Sequence, residues 1–412
     1  MNNSINRAHE LMELEEKYGA HNYHPLPAVL EKGEGAYVWD VNGKRYYDFL
    51  SAYSAVNQGH CHPKIIKTLI EQSQKLTLTS RAFYNDKLGP YEEFITKYFG
   101  YEKVLPMNTG AEAVETAIKL CRKWAYEKKG IDTDQAKIVV CENNFHGRTT
   151  TIVSFSVDPD AYTNYGPYTP GFVVIPYNDV AALEKVLNED KNIAGFLVEP
   201  IQGEAGAYVP TDGYLEKTAA LCRKHNVLFI ADEVQTGVAR TGKLLACDYE
   251  GVHPDILVLG KALSGGAYPV SAVLSSNEIM EVIKPGQHGS TFGGNPVAAA
   301  VAVAALEVVR DEELARKAYE HGIYFREAMT NLCNESSVAS FVRGKGLLNA
   351  LIINNEGHKN LAWDICLKLA ENGLLAKPTH TNIIRFAPPL VITHAQLEEC
   401  IGIINVTVKS FG

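Results

Sequence analysis

Two short apolar runs in the middle of the chain each lead into a residue that can do chemistry. Residues 227–231 and 256–259 are rich in aliphatic and β-branched side chains. Such runs predict strands that are buried on both faces, as in a parallel sheet. Asp232 follows the first run, and Lys261 closely follows the second. Because ligands bind beyond the carboxyl ends of the strands in open α/β sheets, we expect both side chains at one binding site.

The segment after Lys261 contains little that would keep its ammonium group solvated, since residues 262–266 read Ala-Leu-Ser-Gly-Gly. A desolvated lysine has a lowered pKa, and its neutral amine can form a Schiff base with an aldehyde. A carboxylate such as Asp232 can keep a pyridine nitrogen protonated, so that the ring accepts electrons. Pyridoxal 5'-phosphate (PLP) chemistry requires this pair of groups, although an isolated lysine is more often a surface residue.

The wider segment also matches a known pattern. Residues 228–266, LFIADEVQTGVARTGKLLACDYEGVHPDILVLGKALSGG, closely resemble the signature of the class III PLP-dependent aminotransferases. The resemblance implies that Asp232 holds the pyridine nitrogen, that Lys261 binds the cofactor covalently, and that Gln235 lies near its phenolic oxygen. It extends over nearly all 412 residues. The implied architecture is the α/β PLP-dependent transferase fold type I, with a large, mostly parallel domain and a smaller α+β domain.

Composition narrows the class of protein. The hydrophobic content is 46%, and the formal net charge of −9 argues against nucleic acid as a partner, because phosphate binding needs clustered Lys and Arg. No apolar run approaches the length of a membrane span. The eight cysteines form no C-x-x-C pair, so we predict reduced, buried thiols, no metal site and a cytoplasmic protein.

Alternation of apolar runs with helical patterns predicts one mostly parallel sheet across the centre of the chain. Asn42-Gly43, between two aromatic and β-branched runs, predicts a hairpin near the N-terminus. A long Ala/Val helix over 296–310 is expected to begin a second, α+β region. The predicted division is an N-terminal segment of the small domain (1–56), a large PLP-binding domain (57–285) and a C-terminal small domain (286–412).

Three residues between a predicted strand and helix could bind phosphate. Thr109, Gly110 and Ala111 would present backbone N–H groups at a helix start, where anions bind. Without the family resemblance, an ordinary Thr N-cap explains them equally well. In that family the partner subunit adds a phosphate contact, and the matching residues here are Ser290 and Thr291. The resemblance therefore implies a homodimer with shared active sites, whereas the alternative for this stretch is a flexible loop.

A second strand end carries Phe145, His146 and Arg148. The resemblance implies that Phe145 stacks on the cofactor and that Arg148 grips a substrate carboxylate; plain core packing and a surface ion pair are the alternatives. His146 is assigned to the substrate side. A Trp is common at this position in the ornithine-specific members of the family, and a His is common in the acetylornithine branch.

The resemblance also pairs Glu204 with Arg385, which lies late in the chain. A lone desolvated arginine would cost several kcal/mol, so a carboxylate is needed when the substrate end beside it is cationic. A substrate carboxylate could then displace Glu204, although a permanent buried ion pair is the alternative. Tyr23 and Tyr53 resemble residues that bind the substrate amino group and shape its channel, whereas most tyrosines only pack.

Taken together, the sequence predicts an enzyme that moves the δ-amino group of L-ornithine to 2-oxoglutarate in two half-reactions on PLP. Aminotransferases for N-acetylornithine or 4-aminobutyrate share all of the cofactor residues and are the first alternatives. A PLP decarboxylase of the same fold is another. A non-catalytic member of the fold is disfavoured because Lys261, Asp232 and Arg148 are all present.

Overall fold

The computed structural model of the chain describes the backbone of residues 2–412 and the side chains of residues 7–412. Its strands form three sheets, and the helices cover them. The strands are β1 (Leu30–Glu34), β2 (Tyr37–Asp40), β3 (Arg45–Asp48), β4 (Lys103–Met107), β5 (Lys137–Cys141), β6 (Phe172–Ile175), β7 (Ile193–Val198), β8 (Leu228–Asp232), β9 (Ile256–Leu259), β10 (Ser271–Ser275), β11 (Ala339–Lys345), β12 (Leu348–Ile353), β13 (Leu374–Leu375), β14 (Lys377–Thr379) and β15 (Ile383–Phe386).

The helices follow the predicted alternation with strands. The helices are α1 (Asn2–Tyr18), α2 (Ser51–Ser54), α3 (Pro63–Ser73), α4 (Leu88–Phe99), α5 (Gly110–Trp124), α6 (Thr150–Val153), α7 (Pro159–Tyr162), α8 (Val180–Glu189), α9 (Tyr214–Lys224), α10 (Asn277–Met280), α11 (Pro296–Asp311), α12 (Leu314–Glu335), α13 (Leu361–Glu371) and α14 (His394–Lys409). A π-helical turn, Ala125–Lys129, extends α5, and 3-10 turns occur at Ala246–Tyr249 and Lys261–Ser264.

The central sheet has seven strands in the order β4-β10-β9-β8-β7-β5-β6. Neighbours from β9 through β6 run parallel, whereas β10 is antiparallel to both β4 and β9. Every residue of β7, β8, β9 and β10 is buried, which explains their uninterrupted apolar sequences. The prediction of a mostly parallel sheet covered on both faces is therefore confirmed.

The two ends of the chain meet in the smaller sheets. The predicted hairpin forms between β2 and β3, and β13, from the C-terminal region, pairs in parallel with β3. The third sheet has the order β11-β12-β15-β14 and is antiparallel throughout. This pairing agrees with an N-terminal segment that belongs to the C-terminal domain, while the boundaries at residues 56 and 285 stay a prediction.

Local sequence explains the helix that faces the site. The side chain of Thr109 accepts a hydrogen bond from the N–H of Glu112, and the Glu112 carboxylate accepts one from the N–H of Thr109. This capping box fixes the start of α5 directly after β4. The helix then buries Ala113, Val114 and Ala117 among other residues against the sheet. The N-terminus of α5 is thereby held at the end of the central sheet where Asp232 lies.

Two predictions about cysteines and membranes can be compared with the structure. Six of the eight cysteines are buried, but Cys61 is exposed and Cys333 is half-buried, so the prediction of uniformly buried thiols was wrong for these two. Cys61 lies in the turn before α3 and has a φ angle of +51°. Across residues 2–412, no helix has the length and apolar character needed to cross a membrane.

Candidate active site

A cavity of about 180 Å³ opens beyond the carboxyl ends of β7, β8 and β9. It brings together Asp232 and Lys261, as the strand pattern predicted. Five other residues that were predicted for the site, all of them after β4, β5 or β8, also line the cavity. The residues that line the cavity are Gly110, Ala111, Phe145, His146, Gly147, Glu199, Ile201, Asp232, Val234, Gln235, Thr236 and Lys261.

Lys261 lies at the base of this cavity in an unusual backbone conformation. Its φ angle is +44°, in the left-handed region that non-glycine residues seldom adopt. Such strain is maintained only where the surrounding structure determines it, and it concentrates at functional sites. Burial lowers the pKa of the amine, against the opposing effects of the Glu204 and Asp232 carboxylates. The amine is therefore more readily deprotonated than an ordinary lysine.

Asp232 is buried, with 5% of its surface exposed, and its two oxygens have different partners. Oδ1 accepts a hydrogen bond from the N–H of Val234 at 3.0 Å. Oδ2 lies 2.6 Å from Nδ1 of His146, which donates to it. These contacts hold the carboxylate in one orientation at the edge of the cavity. We predicted His146 on the substrate side, but its imidazole contacts Asp232.

His146 and Glu199 are both buried near Asp232, and His146 contacts that carboxylate. Burial lowers the pKa of His146, but its hydrogen bond to Asp232 and the charge of Asp232 outweigh this effect, so that the net shift is upward. Burial raises the pKa of Glu199 to about 8, and one of its oxygens accepts the N–H of Phe145 at 2.9 Å. Sequence reasoning favoured a structural role for Glu199, and only its position at the end of β7 could have indicated this site.

The start of α5 supplies an anion site on the opposite wall. Thr109 caps the helix, and the next two residues, Gly110 and Ala111, line the cavity. A Cβ atom at Gly110 would lie 2.9 Å from Val234, so only glycine allows the backbone to approach this closely. Free N–H groups at a helix N-terminus favour phosphate. Thr109 itself is exposed and does not line the cavity.

Phe145 and Arg148 lie at the outer side of the cavity. Phe145 is half-buried and lines it, and the Arg148 guanidinium lies 5.7 Å from the centre of the Phe145 ring. Arg148 is exposed, and no carboxylate among residues 7–412 forms an ion pair with it. A surface ion pair, the alternative reading of this residue, is therefore not what the described side chains form.

Glu204 and Arg385 are brought together from 181 residues apart. Arg385 Nη1 donates to Glu204 Oε1 at 2.8 Å, and Gln235 Nε2 donates to the same oxygen at 3.1 Å. Burial would raise the pKa of Glu204, but Arg385 holds it below its ordinary value. Nε of Arg385 is buried and has no hydrogen-bond partner within the described residues. The pair is thus formed, yet it leaves donor capacity on Arg385 for another group.

The two predicted tyrosines differ in their placement. The Arg385 guanidinium lies 4.9 Å from the ring centre of Tyr53, which sits in a turn, Ser51–Ser54, whose four residues all have positive φ. Tyr23 is 70% exposed, and the Lys377 amine lies 5.8 Å from its ring centre. Tyr53 therefore contacts the ion pair directly, whereas Tyr23 lies farther out.

The predicted partner loop is exposed at its tip. Ser290 Oγ accepts hydrogen bonds from Asn108 Nδ2 at 2.9 Å and from the N–H of Gly293 at 3.1 Å. Thr291 is exposed, as is Phe292. Neither Ser290 nor Thr291 lines the cavity of its own chain. Their contact with a phosphate in a partner subunit remains a prediction.

The residues of the cavity suit PLP. A helix N-terminus with a glycine in close approach can hold the phosphate, Asp232 can face the pyridine nitrogen, and Phe145 can cover the ring. Lys261 offers an amine with a lowered pKa in the same cavity. The buried oxygen of Gln235, Oε1, has no partner among the described residues and could accept a further hydrogen bond.

Comparison with known proteins finds similarity to aminotransferases over nearly the whole chain. The family described as Aminotransferase class-III matches residues 18–408. A Drosophila melanogaster protein named "Ornithine aminotransferase, mitochondrial" is 63% identical over 396 residues, which cover 96% of this chain and 90% of that protein. A solved structure of ornithine aminotransferase from Toxoplasma gondii, described with PLP partially occupying its active site, is 50% identical, has a TM-score of 0.96 and covers 98% of this chain and 94% of that one. The structure of an acetylornithine aminotransferase from Elizabethkingia anophelis is 67% identical, with a TM-score of 0.92 and coverage of 98% and 99%.

Proposed function

This chain belongs to the class-III aminotransferase family, and we propose that it transfers the δ-amino group of L-ornithine to 2-oxoglutarate. It is a PLP-dependent aminotransferase. The observation that carries the choice of substrates is the Glu204–Arg385 ion pair, which lies beside the cavity of Lys261 and can be opened by a competing carboxylate. Relatives named ornithine aminotransferase, at up to 63% identity, support the same choice.

The bound cofactor supplies an electron sink that stabilises negative charge on the carbon of the reacting amine. Nζ of Lys261 would take the proton from that carbon as a general base and then, as a general acid, give up the same proton. Asp232, oriented by His146, would keep a positive charge on the ring nitrogen. The amide groups at the start of α5 would hold the phosphate and so fix the position of the cofactor relative to Lys261.

Two arginines sort the substrates. Arg148, free of an internal ion pair, holds the α-carboxylate of ornithine and later the side-chain carboxylate of glutamate. In the ornithine half-reaction, Glu204 neutralises Arg385 beside the cationic, reacting end of the donor. In the second half-reaction, the α-carboxylate of 2-oxoglutarate takes the place of Glu204 on Arg385. Tyr53, in contact with Arg385, shapes the channel between the two arginines.

N-acetylornithine is the second candidate donor, because a structure named for it is 67% identical and because His146 stands where ornithine-specific members commonly have a Trp. The two donors differ at the α-amino group, which is cationic in ornithine and an amide in acetylornithine. A screen of ornithine, N-acetylornithine and 4-aminobutyrate with the PLP-loaded enzyme separates the candidates. Loss of the yellow cofactor colour fastest with ornithine supports the proposal, and fastest loss with either other donor contradicts it.

We also propose a cytoplasmic homodimer in which Ser290 and Thr291 of each subunit contact the phosphate bound in the other. The exposed tip of this loop supports the exchange, as does the fact that neither Ser290 nor Thr291 lines the cavity of its own chain. Several relatives carry the word mitochondrial in their names, so localisation needs its own measurement. Mixing an inactive Lys261→Ala chain with an inactive Thr291→Asp chain should restore activity if the sites are shared, because one site of the mixed dimer is intact. No recovery despite mixed dimers would contradict shared sites.

A further inference from the structure

A row of cations crosses the β11-β12-β15-β14 sheet on one face. Arg343 lies opposite Ala350, Ala350 opposite Arg385, and Arg385 opposite Lys377. Directly opposed residues of antiparallel strands point to the same face, where like charges are unfavourable. The small side chain of Ala350 separates Arg343 from Arg385. A row of this kind needs acceptors, and the loop at residues 203–206 provides them.

Three consecutive backbone carbonyls of this loop accept hydrogen bonds from side chains of the sheet. Thr379 Oγ1 donates to the carbonyl of Glu204 at 3.1 Å. Arg343 Nη2 donates to that of Ala205 at 3.0 Å, and Arg343 Nε donates to that of Gly206 at 2.8 Å. The Arg343 guanidinium also lies 5.0 Å from the ring centre of Tyr208. The backbone of the loop is therefore attached to the sheet independently of the Glu204 side chain.

The geometry of the loop depends on this close attachment. Gly206 has a φ angle of +92°, and a Cβ atom there would lie 2.9 Å from Ile383 and 3.1 Å from Arg343. An antiparallel bridge between Gln202 and Tyr208 closes the loop at its base. With both base and carbonyls fixed, rotation of the Glu204 side chain is the remaining freedom that can open its contact with Arg385.

We propose that Arg343 is a positioning residue that fixes the backbone under Glu204, so that this carboxylate alternates between binding and releasing Arg385 without movement of the loop. The proposal rests on the proposed function, since it concerns the same ion pair. Its consequence is asymmetric. Loss of the attachment harms the half-reaction that needs Glu204 on Arg385, and it leaves the half-reaction in which 2-oxoglutarate occupies Arg385 nearly unchanged.

The experiment compares Arg343→Met with wild type in the PLP-loaded dimer, with each half-reaction measured separately by single-turnover absorbance. We expect the ornithine half-reaction to slow about 10-fold or more, because small displacements of a positioned group have effects of this size. The 2-oxoglutarate half-reaction should change less than about 2-fold. Arg343→Lys, which keeps one donor, should recover part of the loss. Lys345→Met is the matched control, since Lys345 lies on the same strand with its amine 4.7 Å from the ring centre of Tyr249.

Thr379→Val removes the separate bond to the Glu204 carbonyl and keeps the proposal testable if Arg343→Met fails to fold. It should slow the ornithine half-reaction by a smaller factor than Arg343→Met does and leave the 2-oxoglutarate half-reaction nearly unchanged. Equal slowing of both half-reactions, accompanied by a lower melting temperature, would overturn the proposal, because a merely structural role acts on both. Failure of wild-type enzyme to use ornithine would instead overturn the proposed function, so the two failures are distinguishable.

Discussion

The cofactor side and the substrate side of the cavity are built in different ways. On the cofactor side, Asp232 and Lys261 follow neighbouring parallel strands, and strand pairing alone brings them together. On the substrate side, Glu204 and Arg385 come from a loop and from the β15 strand of another sheet. The first group is fixed by regular backbone hydrogen bonds, whereas the second is held by contacts between side chains.

This difference teaches which part of the site can move. Asp232 is held by His146 and by a backbone N–H, and neither contact can be replaced by a substrate. Under the proposed function, a substrate carboxylate replaces the bond between Glu204 and Arg385. An enzyme that binds two unlike substrates in turn needs a cofactor side that stays fixed and a substrate side whose contacts can change. We therefore expect variants on the cofactor side to lose all activity and variants on the substrate side to change selectivity.

The largest effect is expected for Lys261→Met, which removes the amine and keeps the length of the side chain. Turnover of ornithine with 2-oxoglutarate should fall by about 10³-fold or more, because no other described amine lines the cavity. Steady-state assays of product formation measure this loss. Lys409→Met, in the exposed last turn of α14, is the control and should retain wild-type turnover. Retained activity in Lys261→Met would contradict the difference proposed between the cofactor side and the substrate side of the cavity.

The cofactor side of the cavity was the part that the sequence could predict. Asp232 ends β8 and Lys261 closely follows β9, and the apolar sequences of these two strands located the carboxyl end of the sheet without coordinates. Gly110 and Phe145 follow β4 and β5. The family resemblance, which the comparisons confirm, supplied the cofactor itself. The contact of His146 with Asp232 was not predicted, because it joins residues that follow two different strands.

A smaller effect is expected for Glu204→Gln, which keeps a hydrogen bond to Arg385 but removes the neutralising charge. The ornithine half-reaction should slow roughly 30-fold or more, because loss of one partner of a buried charge pair costs about 2 kcal/mol or more. Glutamate should become the better donor, because its carboxylate no longer competes with Glu204. Single-turnover assays with each donor give the ratio, and Glu184→Gln on exposed α8 is the control. An unchanged ratio would indicate a permanent ion pair.

The contacts on the substrate side of the cavity were harder to predict from sequence. The partners of Arg385 were named only by resemblance, since no periodicity links residues 181 positions apart. Arg343 was not singled out at all, because its role depends on the register between β11 and β12 and on a loop from the other half of the chain. The 22-residue helix α12 was also unpredicted, although its buried residues recur every three or four positions: Leu314, Ala318, Gly322, Phe325, Met329 and Leu332.

A stability measurement tests the buried carboxyl group of Glu199 on the cofactor side of the cavity. The pKa of Glu199 is about 8 in the folded protein and near 4.5 when exposed, so folding takes up a proton between these values. Stability from this group therefore falls as the pH rises through that window. Glu199→Gln should show a smaller decrease in melting temperature between about pH 5 and about pH 8 than wild type does. Thermal unfolding of the PLP-loaded proteins measures it, with Glu189→Gln on α8 as an exposed control. An equal decrease in all three would contradict a buried, protonated Glu199.

The smallest effect is expected for Tyr23→Phe, at the outer end of the substrate side of the cavity. Tyr23 is 70% exposed, so its hydroxyl competes with water and contributes about 1 kcal/mol or less to donor binding. The preference for ornithine over 4-aminobutyrate, which lacks the α-amino group, should fall about 2- to 5-fold while kcat with ornithine stays nearly constant. Tyr18→Phe, at a residue 75% exposed in the same N-terminal segment, separates this effect from general changes in that segment. If the preference is the same in Tyr23→Phe and wild type, Tyr23 does not belong to the substrate side of the cavity, which then ends at Tyr53. Selectivity for the α-amino group must in that case come from residues closer to Arg148.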